Sequence, residues 1–249
     1  MRTHGNKDFW LAALRTDGPA FRAAVAEAGP DAQVPSCPEW TVAQLTGHLT
    51  DLYRWVGGHV GRGVTDPPQA RVREARAATP EEFDESFTAL LTLLDALDPE
   101  MPAWNWAPQS KKVGFWDRRM AHETAVHRWD AQMATGLAEP IEAKLAADGV
   151  TEILDTWLPA GRGKCPPDRQ GMIALSASDL EQTWYIRLRP GGGIALLDTA
   201  TILDDDDHHE RAVAQGTASD LQLALMGRIG SDVLMLSGEE RLFGCLQVG

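Results

Sequence analysis

Apolar positions set the organisation of the first half of the chain. Phe9, Leu11, Leu14, Phe21, Val25 and Ala28 recur at roughly helical intervals, and Gly29-Pro30 closes that run. Pro35 to Trp40 reads as a break, and Thr41 has the position of an N-cap. Beyond it Val42, Leu45, Leu49, Leu52 and Val56 form an apolar stripe that ends near Gly57-Gly58, so a second helix is predicted there. A Gly-, Pro- and Arg-rich loop fills 61–80. Thr79-Pro80-Glu81-Glu82 then opens a third helix, with a capping hydroxyl, proline at the first position and acids in the first turn, running through Phe83, Phe87, Leu90, Leu91 and Leu94 to about Leu97. After a loop over 98–113 with Trp104 and Trp106, a fourth helix is predicted from about Gly114 to Thr135, stopped by Gly136.

The texture changes after Gly136. A short helix over about 141–157 precedes a loop with Gly161, Gly163, Pro166 and Pro167. Period-two runs follow at Met172–Ser176, Thr183–Arg189 and Ile194–Asp198, with another candidate strand at 210–215. Ser219–Arg228 reads as an amphipathic helix, Val233–Leu236 as a short strand and Glu239–Leu246 as a final helix. The expected architecture is therefore a four-helix region followed by a separate α+β domain, with the boundary near 137–141.

Composition narrows the function classes. The chain has 249 residues, with 43% apolar and 24% charged side chains, as ordinary globular proteins do. Its net charge of -13 is shared by both halves, so neither offers the positive field that nucleic acid or an anionic membrane requires. No apolar run reaches the length of a membrane span and no signal-peptide core is present, so a cytoplasmic location is expected. Cys37, Cys165 and Cys245 are odd in number and far apart, which suggests neither a disulfide framework nor a cysteine-rich zinc site. Seven of the nine tryptophans lie in the first 140 residues, where they fill a helical core or line a pocket.

Candidate chemistry centres on one constellation. Glu123 and His127 are four apart and share a helix face, and His48, at the edge of the second helix's apolar stripe, would add a third ligand. Two imidazoles and one carboxylate leave coordination positions open, as a catalytic metal requires. His122, about 100° round the helix from Glu123, is expected at the surface or supporting a ligand. His59 is expected to be solvated, His4 to lie in a mobile terminus, and Asp204–Asp207 with His208-His209 to form a solvated acidic turn. Cys37 is read as a small buried residue that fixes a turn, in preference to a nucleophile. Arg228 is open between a cation at a helix C-terminus and a carboxylate clamp.

Ser36-Cys37-Pro38-Glu39-Trp40-Thr41-Val42 followed by Gly47-His48-Leu49 resembles the N-terminal signature of the mycothiol-dependent maleylpyruvate isomerase family. Arg119 through Ala131 looks like that family's second metal motif. The segment Gly216–Leu221 through Leu225–Arg228 is similar to its C-terminal domain. The resemblance implies a DinB-like four-helix metal-binding bundle over 1–138 and an α+β sterol-carrier-protein-like domain over 139–249. It implies His48, Glu123 and His127 as ligands to Zn²⁺ or another divalent ion, mycothiol as thiol cosubstrate, and Arg228 as a group holding an acidic substrate at a cleft between the domains. The implied reaction adds a metal-activated thiolate to an electrophile, as in isomerising maleylpyruvate to fumarylpyruvate. A mycothiol S-transferase is the first alternative and a non-catalytic protein that binds an apolar ligand the second. The expected partners are small molecules, with neither nucleic acid nor membrane among them.

Overall fold

The computed structural model describes residues 5–70, 76–191, 193–197 and 210–248. His4 and the Asp204–His209 tract lie outside them. The chain divides into two compact units, Gly5–Ile141 and Glu142–Gly249, and among the described residues no helix is long and apolar enough to cross a membrane.

Four long helices build the first unit: α1 (Lys7–Ala28), α2 (Val42–Val60), α3 (Pro80–Ala96) and α4 (Val113–Thr135). Local chemistry sets their ends. Asn6 accepts from the Phe9 amide to start α1, and Gly29, at φ +82°, takes the chain out of it. α2 and α3 each open on a capping box: Thr41 with Gln44, and Thr79 with Glu82. Gly136 ends α4 in the left-handed conformation, with its amide bonded back to Gln132 and Met133. α2 continues through Gly57-Gly58, where the pattern predicts its end, because neither glycine takes a positive φ. The expected break before α2 is a small antiparallel hairpin, β1 (Gln33–Val34) with β2 (Cys37–Thr41).

α1 packs chiefly on α4, and α2 on α3. Phe21 of α1, Tyr53 of α2 and Phe83 and Phe87 of α3 meet with ring centroids 4.7–6.1 Å apart. The buried rings among them, Phe21, Tyr53 and Phe83, each contribute about 1.5–3 kcal/mol relative to exposure. The Thr124 hydroxyl donates to the Met120 carbonyl, so the Tyr53 hydroxyl, 2.6 Å away, is the donor in the bond that ties α2 to α4. Buried Arg128 pairs with Asp17 at 3.0 Å and also donates to the Glu139 and Pro140 carbonyls, fixing the chain that leaves α4.

The second unit begins with α5 (Ala143–Glu152), which runs into a π-helical turn at Ile153–Trp157. Its sheet has the order β5-β4-β3-β6-β7, from β3 (Gly171–Ala177), β4 (Gln182–Leu188), β5 (Ile194–Leu197), β6 (Arg211–Gly216) and β7 (Met235–Gly238). All pairings are antiparallel except β3 with β6. Ile173 and Leu175 stand beside Ile186 and Trp184 on one side and Ala212 and Ala214 on the other, so the period-two pattern buries one face. α5 packs on α6 (Ala218–Leu225), and Trp184 donates to Thr151 at 2.9 Å, joining the sheet to α5. The last elements differ from expectation. A 3₁₀ turn at Ser231–Val233 delays the strand, and the final helix shrinks to α7 (Arg241–Gly244).

The cysteine reading is corrected. Cys165 and Cys245 form a disulfide although 80 residues separate them, because the chain end returns to the 161–170 loop and brings their Cα atoms to 4.0 Å. Only the fold creates that proximity, so spacing alone does not reveal it.

Asp117 of α4 is fully buried, and neither carboxylate oxygen has a hydrogen-bond partner among the described residues. Burial pushes its pKa up to about 7, with Lys7 opposing. Unfolded, it titrates near 3.8. Between those values the folded protein retains a proton that the unfolded chain releases, so stability declines as pH rises through this window and levels off above it, by about 4 kcal/mol. Asp117→Asn is expected to flatten that decline, measured by urea unfolding of both proteins at about pH 5 and about pH 8.

Candidate metal centre

His48 lies two turns into α2. The residue before it is a glycine for a steric reason: a Cβ at Gly47 would overlap the Arg76 carbonyl, where the chain entering α3 crosses α2 and Ala78 bonds to the Ala43 carbonyl at 2.9 Å. Glu123 and His127 sit one turn apart on α4. His48 meets Glu123, and Trp55, seven residues further along α2, meets Trp116, seven residues earlier on α4, so the two helices run antiparallel.

The three side chains converge. Glu123 Oε1 is 3.2 Å from His48 Nε2 and 3.5 Å from His127 Nε2, and one ligand atom from each residue falls within 4.8 Å of the others. Two N or O ligands at about 2.1 Å from one tetrahedral ion stand about 3.4 Å apart, so these separations suit a shared divalent ion. The donor chemistry also fits Zn²⁺, Fe²⁺ or Mn²⁺.

The neighbours fix how those atoms face. His127 Nδ1 is 2.8 Å from Asp130 Oδ2, one helical turn on. Since a carboxylate only accepts, Nδ1 carries a proton, and Nε2, which faces the cluster, is the nitrogen that would take an ion in place of its own proton. Asp130 is fully buried, and its other oxygen accepts from the Ser36 hydroxyl at 2.5 Å. Cys37, half-buried at the start of β2, places Sγ 3.9 Å from Asp130 Oδ2. Arg119 donates to Glu123 Oε2 at 2.5 Å, which leaves Oε1 as the oxygen facing both histidines. Trp40 of β2 walls the cluster, its ring 4.9 Å from that of His48 and 6.4 Å from that of His127.

Electrostatics follow from this packing. Burial pushes the Glu123 carboxyl up, but the Arg119 guanidinium and the hydrogen bonds from His127 and His48 outweigh it and hold the group well below the usual carboxylate range. Burial pulls His127 down, and its bonds to Asp130 and Glu123 carry it above the usual imidazole value. A cation is thus favoured among these groups.

Other candidates fall elsewhere. His122 is fully buried, which corrects the surface reading, and it is outside the ligand cluster. His59 is buried against Trp55, Trp104 and Trp116, which corrects the solvated reading; the loop bearing Trp104 covers it. Arg228 belongs to the second unit, three residues past α6, with Nη1 donating to the Met226 carbonyl at 3.1 Å. Sequence reasoning missed Asp130, Arg119, Ser36 and Trp40 as supports. Asp130 and Arg119 carried a signal, lying three residues after His127 and four before Glu123.

His48→Ala is expected to abolish stoichiometric binding of zinc to the purified protein. Asp130→Asn is expected to retain binding but to weaken it about 10- to 100-fold, because the imidazole loses the acceptor that orients it. Competition with a chromogenic chelator measures both.

Residues 11–132 match the family model described as the mycothiol maleylpyruvate isomerase N-terminal domain. Two solved structures share the fold. One is a histidine-to-alanine mutant of the mycothiol-dependent maleylpyruvate isomerase, with TM-score 0.62 and 15% identity, covering 95% of this chain and 96% of that one. The other is the mycothiol-dependent maleylpyruvate isomerase, with TM-score 0.54, 17% identity and the same coverage. No curated protein matches the sequence significantly. The mostly helical N-terminal region fits the family model and the mixed-sheet C-terminal region shares the neighbours' fold, so residues 11–132 are homologous to the N-terminal domain of the mycothiol-dependent maleylpyruvate isomerase family.

Proposed function

We propose that this chain is a metal-dependent enzyme that brings a low-molecular-weight thiol, mycothiol in the first instance, to an electrophilic small molecule. The convergence of His48, Glu123 and His127 carries this reading. Three protein ligands leave a four-coordinate ion with one position for a ligand from solution, the arrangement of a catalytic site. Homology to a family named for mycothiol supplies the thiol.

When bound, a divalent ion supplies acidity, allowing a coordinated thiol to lose its proton near neutral pH. The chain's own groups prepare that position. Asp130 keeps His127 Nε2 aimed inward, Arg119 keeps Glu123 ionised, and Trp40 shields one side from water. The proposed reaction is isomerisation. The thiol sulfur adds across the cis double bond of maleylpyruvate, the resulting single bond rotates, and loss of the same thiol leaves the trans isomer, fumarylpyruvate, with no net change in atoms. Arg228 enters this proposal as the guanidinium that pairs with a substrate carboxylate.

The test loads the protein with zinc and supplies mycothiol with maleylpyruvate. Mycothiol-dependent loss of the cis isomer, with no stable adduct, is the expected result. A stable conjugate with this or another electrophile would replace isomerase by S-transferase, and inactivity towards every electrophile despite stoichiometric metal would refute the enzyme. Arg228→Gln is expected to raise KM for the dicarboxylate about tenfold or more, with metal content unchanged.

A further inference from the structure

The face of α2 that carries His48 also carries Trp55 and His59, seven and eleven residues on, or about 10 and 16 Å further along the axis. On α4 the matching position is Trp116, seven residues before Glu123. One seam between antiparallel helices therefore holds the ligand cluster at one end and an aromatic box at the other. The box encloses His59, whose ring centroid is 4.5 Å from Trp55, 5.0 Å from Trp116 and 5.9 Å from Trp104. Trp116 donates to the Trp104 carbonyl at 2.6 Å and so anchors the covering loop. Lys111, bonded to the Asn105 and Ala107 carbonyls, braces that loop from inside.

His59 is 3% exposed. Its Nδ1 is 2.8 Å from the Trp55 carbonyl, which can only accept, so Nδ1 carries the proton. Burial holds the imidazole below its usual pKa, so it is neutral at neutral pH. Nε2 is therefore a bare acceptor, and among the described residues it has no hydrogen-bond partner. A buried lone pair without a donor costs about 1–3 kcal/mol. The indole faces supply no donor that satisfies it, since Trp116 spends its N–H on Trp104 and Trp55 spends its own on Gln69.

We propose that this box is a binding site for a neutral, ring-borne hydroxyl group, which donates to His59 Nε2 while the ring that bears it lies against an indole face. The requirements are specific. A bare acceptor selects a donor, indole walls select an apolar ring face, and the imidazole has no carboxylate partner that would favour a cationic ligand. Sugars, cyclitols and phenols share this chemistry. Trp55 and Trp104 are partly exposed, so the box reaches the surface at these two indoles, while Trp116 holds the Trp104 backbone. The proposal is independent of the metal reading.

Two measurements on the full-length protein test it. In ¹⁵N spectra of histidine-labelled protein, His59 must show a protonated Nδ1 and an unprotonated Nε2. The reverse tautomer overturns the proposal before any ligand is added. Titration with myo-inositol and, separately, with phenol at millimolar concentration is then expected to move the Nε2 resonance towards the hydrogen-bonded range and to quench tryptophan fluorescence. Whichever probe binds identifies the source class; no shift with either overturns the site. His59→Phe, which keeps the ring and removes both nitrogens, is expected to weaken the binding probe roughly three- to tenfold. His59→Gln, with an acceptor near the Nε2 position, is expected to recover part of that loss. Unchanged affinity in a His59→Phe protein with a native-like spectrum overturns the assignment. Zinc stoichiometry, read on the same samples, reports the other end of the seam separately.

Discussion

A carboxylate buried between helices must be kept charged, and the candidate site is organised around that requirement. Glu123 lies where desolvation alone would protonate it, and an isolated buried charge costs far more than one hydrogen bond returns. Arg119, four residues back on the same helix, occupies one oxygen, and the two imidazoles face the other. With its outer oxygen taken, Glu123 has a single oxygen left for an ion, and that oxygen is the one both histidines already approach. Asp130 plays the matching part for His127, holding the ring from its far nitrogen. The cluster thus has a fixed interior made of charge-assisted bonds, and one helix, α4, supplies four of its five members.

That concentration on α4 explains the helix's unusual composition. Its buried positions include Asp117, Arg118, Arg119, His122, His127, Arg128 and Asp130, side chains that rarely go inside unpaired. Arg128 is satisfied by Asp17 and by carbonyls at the end of the first unit, so part of the polarity is structural and part belongs to the cluster. Asp117 is different, because burial without a partner makes it hold its proton up to about pH 7. Charged residues on a central helix thus mark neither a surface nor, each by itself, a site. Their partners decide.

The same distinction separates what could be read from the sequence from what could not. Helix starts at Thr41 and Thr79 and the stop at Gly136 were legible because a cap is a contract between residues three or four apart. The meeting of His48 with Glu123 and His127 was only partly so. The spacing on α4 is local, but pairing with α2 depends on an antiparallel packing that periodicity does not state, and the family resemblance supplied it. Asp130 and Arg119 lay in plain view at helical spacing, though a charged residue there reads equally well as solvated. Three features had no local signal. The β1–β2 hairpin is too short to impose alternation; Cys165 and Cys245 meet only through the return of the chain end; and His59 is buried by a loop some 45 residues away in sequence, a distance no window along α2 spans.

His59 also shows why burial alters chemistry at two ends of one seam in opposite ways. At the Glu123 end, desolvation is overcome by opposite charges within hydrogen-bond reach, and the groups stay ionised. At the Trp55 end no such charges are present, the imidazole is driven neutral, and a backbone carbonyl alone chooses its tautomer. The antiparallel pairing of α2 with α4 delivers both environments from one repeat of apolar and polar positions, since seven residues return a side chain to the same face. A charged end suits an ion and a neutral, aromatic end does not. Within roughly three helical turns the seam therefore passes from an environment that keeps its side chains charged to one that keeps its imidazole neutral.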